Sequence, residues 1–247
     1  GKIITQKGEY LYGYDNSQFI LLRNLKPVLS FPNQEYGLHL LSTFLAQKND
    51  AKNILLIGEP FLYTLPYLIN INSIEKILWI PFDFELSTKI IPLLSENSLF
   101  NNKKLVFPQA EPHSFLKNTD DRFDIILVYT SDPQTISSNQ YLTDSFFTLL
   151  KTHLADKGIG GIRISGGENF LGGEIATLGA SIYFTFQQVF KVNALKPGNE
   201  TWLFGSLTHP ISEHIPTLEQ RLSVISQQIS EIKPNIVRDL YPADRIY

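Results

Sequence analysis

Ile54-Leu55-Leu56-Ile57-Gly58-Glu59-Pro60-Phe61-Leu62-Tyr63 is a four-residue apolar run that stops at a glycine and leads into a second apolar segment, residues 62–68. Further apolar runs occupy residues 77–80, 105–107, 125–128 and 159–164, the last interrupted only by Arg163. A run that is apolar at every position suits a strand buried on both faces. Segments of helical length lie between them at 62–68, 86–94 and 145–154, the last with Thr143 as its cap and Gly158 as its stop. Parallel neighbours need a crossover, so this alternation predicts an α/β fold with a Rossmann-like, doubly wound, mainly parallel sheet. Ligands of such folds bind at the carboxyl ends of the strands. The turn at Gly58 and the second strand's exit, Ile80-Pro81-Phe82-Asp83, are therefore the first places to look.

Outward from this core, residues 1–31 read as a small antiparallel β-meander. Its strands are placed at 2–5, 9–14 and 19–22, broken by Lys7-Gly8 and Asp15-Asn16-Ser17. A helix over 36–46 follows. Toward the C-terminus, a helix over 174–190 places Ile175, Leu178, Ile182, Phe186 and Val189 on one face. Strands at 192–195 and 202–206 then form a closing hairpin. Thr217 with Gln220 reads as the capping box of a terminal helix carrying Leu218, Leu222, Ile225 and Ile229. The domain assignment is 1–31 meander, 32–210 Rossmann-like domain, and 211–247 terminal helix and tail.

The 247 residues are 43% hydrophobic, enough for a proper core, and carry a net charge of −3. No Lys/Arg cluster is present, which argues against nucleic acid as a partner. The absence of cysteine excludes disulfides, thiolate metal sites and cysteine nucleophiles. His113, His153, His209 and His214 show no metal-ligand spacing, so no metal is expected. The sequence contains no Gly-x-Ser-x-Gly nucleophile elbow. Gly1 in place of Met is read as processing or excision. Residues 175–190 are too short and too polar to span a bilayer. The chain is read as soluble, with a cytoplasmic location favoured and an exported one left open.

The segment Asp124-Ile125-Ile126-Leu127-Val128-Tyr129-Thr130-Ser131-Asp132-Pro133 carries a family resemblance, continued by Asn139-Gln140-Tyr141-Leu142-Thr143, Glu168-Asn169-Phe170-Leu171 and Pro197-Gly198. It resembles the polyamine aminopropyltransferases, the spermidine synthase family, and above all the branch often fused to membrane-spanning segments. The likeness is specific from Asp124 onward and weaker before it. It implies the class I S-adenosylmethionine methyltransferase fold, S-adenosylmethionine or its decarboxylated form as cofactor, and dimers formed through the N-terminal strands.

Set against the family's pattern, the site residues depart from it. Only Gly58 survives of a glycine loop that lets a cofactor approach bare backbone, and Glu59, Pro60, Phe61, Leu62 and Tyr63 fill the rest. The ribose-holding acid falls on Pro81, with Asp83 two residues on as a substitute. The adenine-holding acid falls on Glu111. The proton-abstracting Asp falls on Tyr129, a poor base at an ordinary pKa of about 10, while Asp132 keeps the second acid. His39 matches a family histidine, but on an apolar helix it reads first as a core residue. Leu29 stands where the family has Gln.

Two functions follow. The first is a non-catalytic interaction or scaffold domain: a homo-oligomer or assembly subunit, needing no cofactor or small ligand, with membrane-protein segments as conceivable neighbours. The second is a divergent aminopropyltransferase or methyltransferase using Asp83, Glu111 and Asp132. The first predicts that Phe61, Leu62 and Tyr63 turn inward, and that Tyr10, Tyr12, Tyr14 and Phe19 lie on an associating surface.

Overall fold

Uninterrupted apolar strands should lie at the centre of a covered sheet, and they do. The computed structural model describes residues 1–130, 139–166, 173–198 and 200–241. Its larger sheet contains β5 (Asn53–Ile57), β6 (Lys76–Ile80), β7 (Leu105–Val106), β8 (Phe123–Tyr129), β9 (Leu154–Ser165), β10 (Val192–Lys196) and β11 (Glu200–Ser206). Their order is β10-β11-β9-β8-β5-β6-β7. β5 lies between β6 and β8, parallel to both, with Ile54 opposite Ile125 and Ile57 opposite Val128. β11 runs antiparallel against β9 and pairs with β10 in the hairpin. Ile54 to Ile57 and Ile125 to Val128 are all fully buried. At about 1.5–3 kcal/mol for each large apolar side chain buried, these two strands anchor the domain.

The crossovers are short for a chemical reason. Pro60 and Pro66 break the segment after β5 into a 3-10 turn (Glu59–Tyr63) and the one-turn helix α2 (Leu65–Leu68). α3 (Phe84–Ile90) ends before Pro92, and its last turn continues as 3-10. α4 (Pro112–Asn118) starts behind the cap Glu111. In α5 (Asp144–Thr152), Thr143 caps as the sequence predicts, accepting from the Phe146 N–H. Gly158 does not stop this helix. The helix ends at Thr152, and Gly158 is already inside β9, where a Cβ would meet the Phe123 carbonyl.

α6 (Gly173–Val189) uses only part of its predicted face: Ile182, Phe186 and Val189 are buried, whereas Ile175 and Leu178 are exposed. The helix packs on β9, β11 and α5, and its buried side chains lie in its C-terminal half. α7 (Ile215–Ser226) begins after His214 with Pro216 in its first turn, so Thr217 is internal and no capping box forms. Its stripe of Leu218, Leu222 and Ile225 shares one core with Leu40, Leu41 and Phe44 of α1 (Gln34–Leu45). The buried Gln47 amide locks the C-terminal region down, donating to the Ser212 carbonyl and the Tyr241 hydroxyl and accepting from the Ser212 N–H.

The N-terminal sheet has four strands, one more than predicted: β1 (Lys2–Thr5), β2 (Gly8–Asp15), β3 (Gln18–Arg23) and β4 (Lys26–Phe31). Pro27 hides β4 in the sequence, but on an edge strand with a nearby bulge it costs no ladder bond. Tyr10 and Phe19 are buried, contrary to their predicted place on the surface, and Tyr12 is half-buried. They face the core with Ile3, Leu21, Leu29 and Phe31. Of the four aromatics only Tyr14 is well exposed; the exposed apolar groups on and beside this sheet are Ile4, Leu11, Leu25 and Val28.

Candidate functional site

The carboxyl ends of β5, β6 and β8 converge as the fold class requires. Gly58 ends β5 at φ 122°, a conformation favouring glycine, and a Cβ there would lie 2.6 Å from the Tyr129 carbonyl oxygen. Its own N–H donates to the Ile80 carbonyl at 2.9 Å, and its carbonyl accepts from the Trp79 indole at 2.8 Å. Gly58 is thus required by backbone packing, whatever else it does.

Glu59 turns its carboxylate back across the head of the sheet. Oε1 accepts from the Asp83 N–H at 2.7 Å, and burial pushes this carboxyl above the ordinary range. Asp83 itself is 7% exposed. Its Oδ1 caps α3 by accepting from the Leu86 N–H at 2.9 Å, and its Oδ2 is buried without a partner. Above them the β1–β2 turn is fastened down: Lys7 Nζ donates to the Phe82 carbonyl at 2.6 Å, and the Gln6 N–H donates to Glu85 at 2.9 Å.

Glu111 is committed as well. It accepts from the N–H groups of His113 (3.1 Å) and Ser114 (2.8 Å) and from the Tyr141 hydroxyl (2.6 Å). Burial works against its charge, yet these bonds hold the carboxyl below its usual range. Tyr141 is 5% exposed and packs on Phe82, with ring centres 4.9 Å apart, and on Phe146 at 5.1 Å.

At the end of β8, the Tyr129 hydroxyl donates to Glu200 of β11, and Tyr36 of α1 donates to the same carboxylate oxygen at 2.9 Å. The two phenols are 3.1 Å apart. Burial, then the Glu200 charge, push the Tyr129 pKa upward, away from any use as a base near neutrality. The Arg163 guanidinium lies 5.3 Å from the Tyr129 ring centre. Phe61, fully buried, packs edge-on against Tyr129 and beside Trp202; Leu62 is buried, and Tyr63 lies half-buried between Phe31 and Tyr36.

The structure therefore joins Gly58 to Tyr129, Glu59 to Asp83, and Glu111 to Tyr141. Asp132, Pro133 and residues 168–171 lie outside the described residues. His39 sits half-buried on α1, and Leu29 is buried in β4. Tyr36, Glu200, Phe82 and Tyr141 were not singled out as site residues by sequence. Tyr36 and Glu200 are 164 positions apart, and no motif links them. Tyr141 lies inside the Asn139–Thr143 pattern, where a hydroxyl on an aromatic position is the available signal. No group of three metal-ligating side chains occurs among the described residues.

The spermine/spermidine synthase domain matches residues 34–166, more than half of the chain. The chain belongs to that family. A curated relative, the polyamine aminopropyltransferase of Oceanobacillus iheyensis, is 23% identical over 133 residues, covering 52% of this chain and 26% of its own length. The chain thus matches only about a quarter of that relative. Among solved structures, the spermidine synthase of Thermotoga maritima aligns over 98% of this chain and 82% of its own at a TM-score of 0.70 and 12% identity. A spermidine synthase in complex with the transition-state analogue AdoDATO aligns over 94% and 84% at 0.68 and 12%. Human methyltransferase-like protein 13, in complex with SAH, aligns over 81% and 94% at 0.59 and 12%. These likenesses establish the spermidine synthase and class I methyltransferase fold.

Proposed function

We propose that this spermidine synthase-like domain has filled its own cofactor site and works as a non-catalytic interaction or scaffold unit. The observation that carries this reading is that the carboxylates at the head of the sheet spend hydrogen bonds inside the chain. Glu59 is bound to Asp83, Glu111 to Tyr141 and its own helix, and Glu200 to two phenols. A nucleoside cofactor does not fit residues so engaged, because Phe61 replaces open backbone and Tyr141 bridges Phe82 to Glu111. The test is an aminopropyl-transfer assay with decarboxylated S-adenosylmethionine and putrescine. The reading expects no turnover above the uncatalysed rate, and measurable turnover overturns it.

A second reading, a divergent aminopropyltransferase, is favoured by the name of the curated relative. Its difficulty is chemical: an amine must lose its proton before attack, and Tyr129 has shifted in the wrong direction to take it.

The interaction role is assigned to the outer face of the N-terminal sheet. There Leu11 pairs with Leu22, and Leu22 with Pro27, while Ile4, Leu11 and Val28 are exposed. Self-association through this face is the expected assembly. Light scattering should show an oligomer that dissociates when Leu11 and Val28 become Lys, with Tm changed by less than about 2 °C. A wild-type monomer at high micromolar concentration contradicts it. Among the described residues no helix is long and apolar enough to cross a membrane.

A further inference from the structure

Residues 207–214 link β11 to α7 and run as a strap across the end of α1. The strap is fastened at several points. Thr208 Oγ1 donates to the Asp156 carbonyl of β9 at 2.7 Å, and the His209 N–H donates to Ser206 Oγ at 2.9 Å. Arg221 of α7 donates to the Pro210 carbonyl at 2.7 Å, and the Ser212 N–H donates to Gln47 Oε1 at 3.0 Å. Glu213 Oε1 accepts from the Leu195 N–H at 2.7 Å, on β10, the outermost strand at one side of the seven-stranded sheet. An uncovered edge strand is where a sheet pairs with another chain, so what covers β10 decides whether that edge is open.

The His209 ring sits where the strap crosses α1. Its Nε2 is 2.9 Å from the Gln47 carbonyl oxygen, which also accepts from Arg221 Nη1 at 2.8 Å. A carbonyl only accepts, so Nε2 carries the hydrogen and Nδ1 is the atom that takes up a proton. That proton adds a charge near the Arg221 guanidinium and the Lys48 ammonium, whose side chain is 4% exposed. Asp50, bonded to Lys48 at 2.7 Å, is the carboxylate that offsets it. Tyr241 lies behind Gln47, and Glu213 lies four residues along the strap. Burial first, then Lys48 and Arg221, hold the His209 pKa below the ordinary histidine range.

We infer that residues 207–214 form an acid-opened strap, closed over the β10 edge while His209 is neutral and loosened when His209 is protonated. The open strap takes up the proton at higher pH than the closed one. Closure is therefore fully favoured above about pH 6.5 and is lost as pH falls through the folded value. One proton does not lift α7, because Leu218, Leu222 and Ile225 stay buried with α1 whatever charge His209 carries.

The test is hydrogen exchange on the full chain, read as protection factors at about pH 7.5 and about pH 5. Wild type is compared with His209→Gln, which keeps a donor for the Gln47 carbonyl and stays uncharged. In wild type the Ser212 and Leu195 amides should lose protection at least about fivefold on acidification, while Leu222 of α7 and Leu56 of β5 change less than about twofold. In His209→Gln all four should change less than about twofold. Unchanged protection of Ser212 and Leu195 in wild type, an equal loss in the variant, or a loss that extends equally to Leu222 overturns the strap. If His209→Gln does not melt cooperatively, an NMR titration of the His209 ring in wild type takes its place. A midpoint below about 6.5 is expected, and one at or above it overturns the inference.

Discussion

The two ends of the parallel sheet solve the same problem with the same residue type and different consequences. At the amino end, Asp124 Oδ2 accepts from the N–H groups of Lys52 (2.8 Å) and Asn53 (2.9 Å), tying the start of β5 to β8. At the carboxyl end, Glu59 accepts from the Asp83 N–H, and Glu111 from His113 and Ser114. Backbone donors need partners at both ends. The amino end is not where this fold class takes its ligands. At the carboxyl end the donors are those that this fold class offers to ligands, so on the proposed reading a side chain that satisfies them also closes the site.

Gly58→Ala should have the largest effect, because the comparison rests on a backbone that lets β5 and β8 touch. The added Cβ meets the Tyr129 carbonyl and adopts a positive φ. A loss of about 3 kcal/mol is expected, read as about 6–12 °C in Tm by calorimetry. A change under 2 °C would mean that the two strand ends separate freely.

Asp124→Ala comes next. Removing an acceptor shared by two backbone donors should cost about 1–3 kcal/mol in urea unfolding. Ligand titrations should be unaffected, since the amino end takes no part in binding. A gain of nucleoside binding in this variant would break the contrast between the ends.

The smallest effect separates the carboxyl end by pH. Burial raises the folded-state pKa of Glu59, so its ionised form costs stability. That cost is absent below the unfolded value and grows as pH rises through the folded one. Glu59→Gln, which keeps an acceptor for Asp83 and carries no charge, should therefore gain on the wild type as pH rises from about 4.5 to 8. A difference in Tm that shrinks over the same range would show the carboxylate to be stabilised there.

How far the sequence could be read follows the same division. Residues 54–57 and 125–128 are recognised from their continuous apolar character, their short length and the Gly58 and Pro133 that come after them, which together suit a doubly covered strand. β4 was hidden by Pro27, and the start of α7 by Pro216, since a proline changes meaning with its place at an edge or in a first turn. The exposure of Ile175 and Leu178 depends on what packs against that end of the helix, which helical spacing does not encode. At the site, the side chains at 59–63 and at 129 are legible in the sequence. Their partners are not, because Tyr36 and Glu200 meet only through the folded topology.

The central claim is that the head of the sheet is occupied by the chain itself. Its most direct test is calorimetric titration of the wild-type chain with S-adenosylmethionine, decarboxylated S-adenosylmethionine and methylthioadenosine. The account predicts no saturable heat from any of them up to millimolar concentration. Binding by any one of the three with a Kd below about 100 μM, roughly −5.5 kcal/mol, would contradict it.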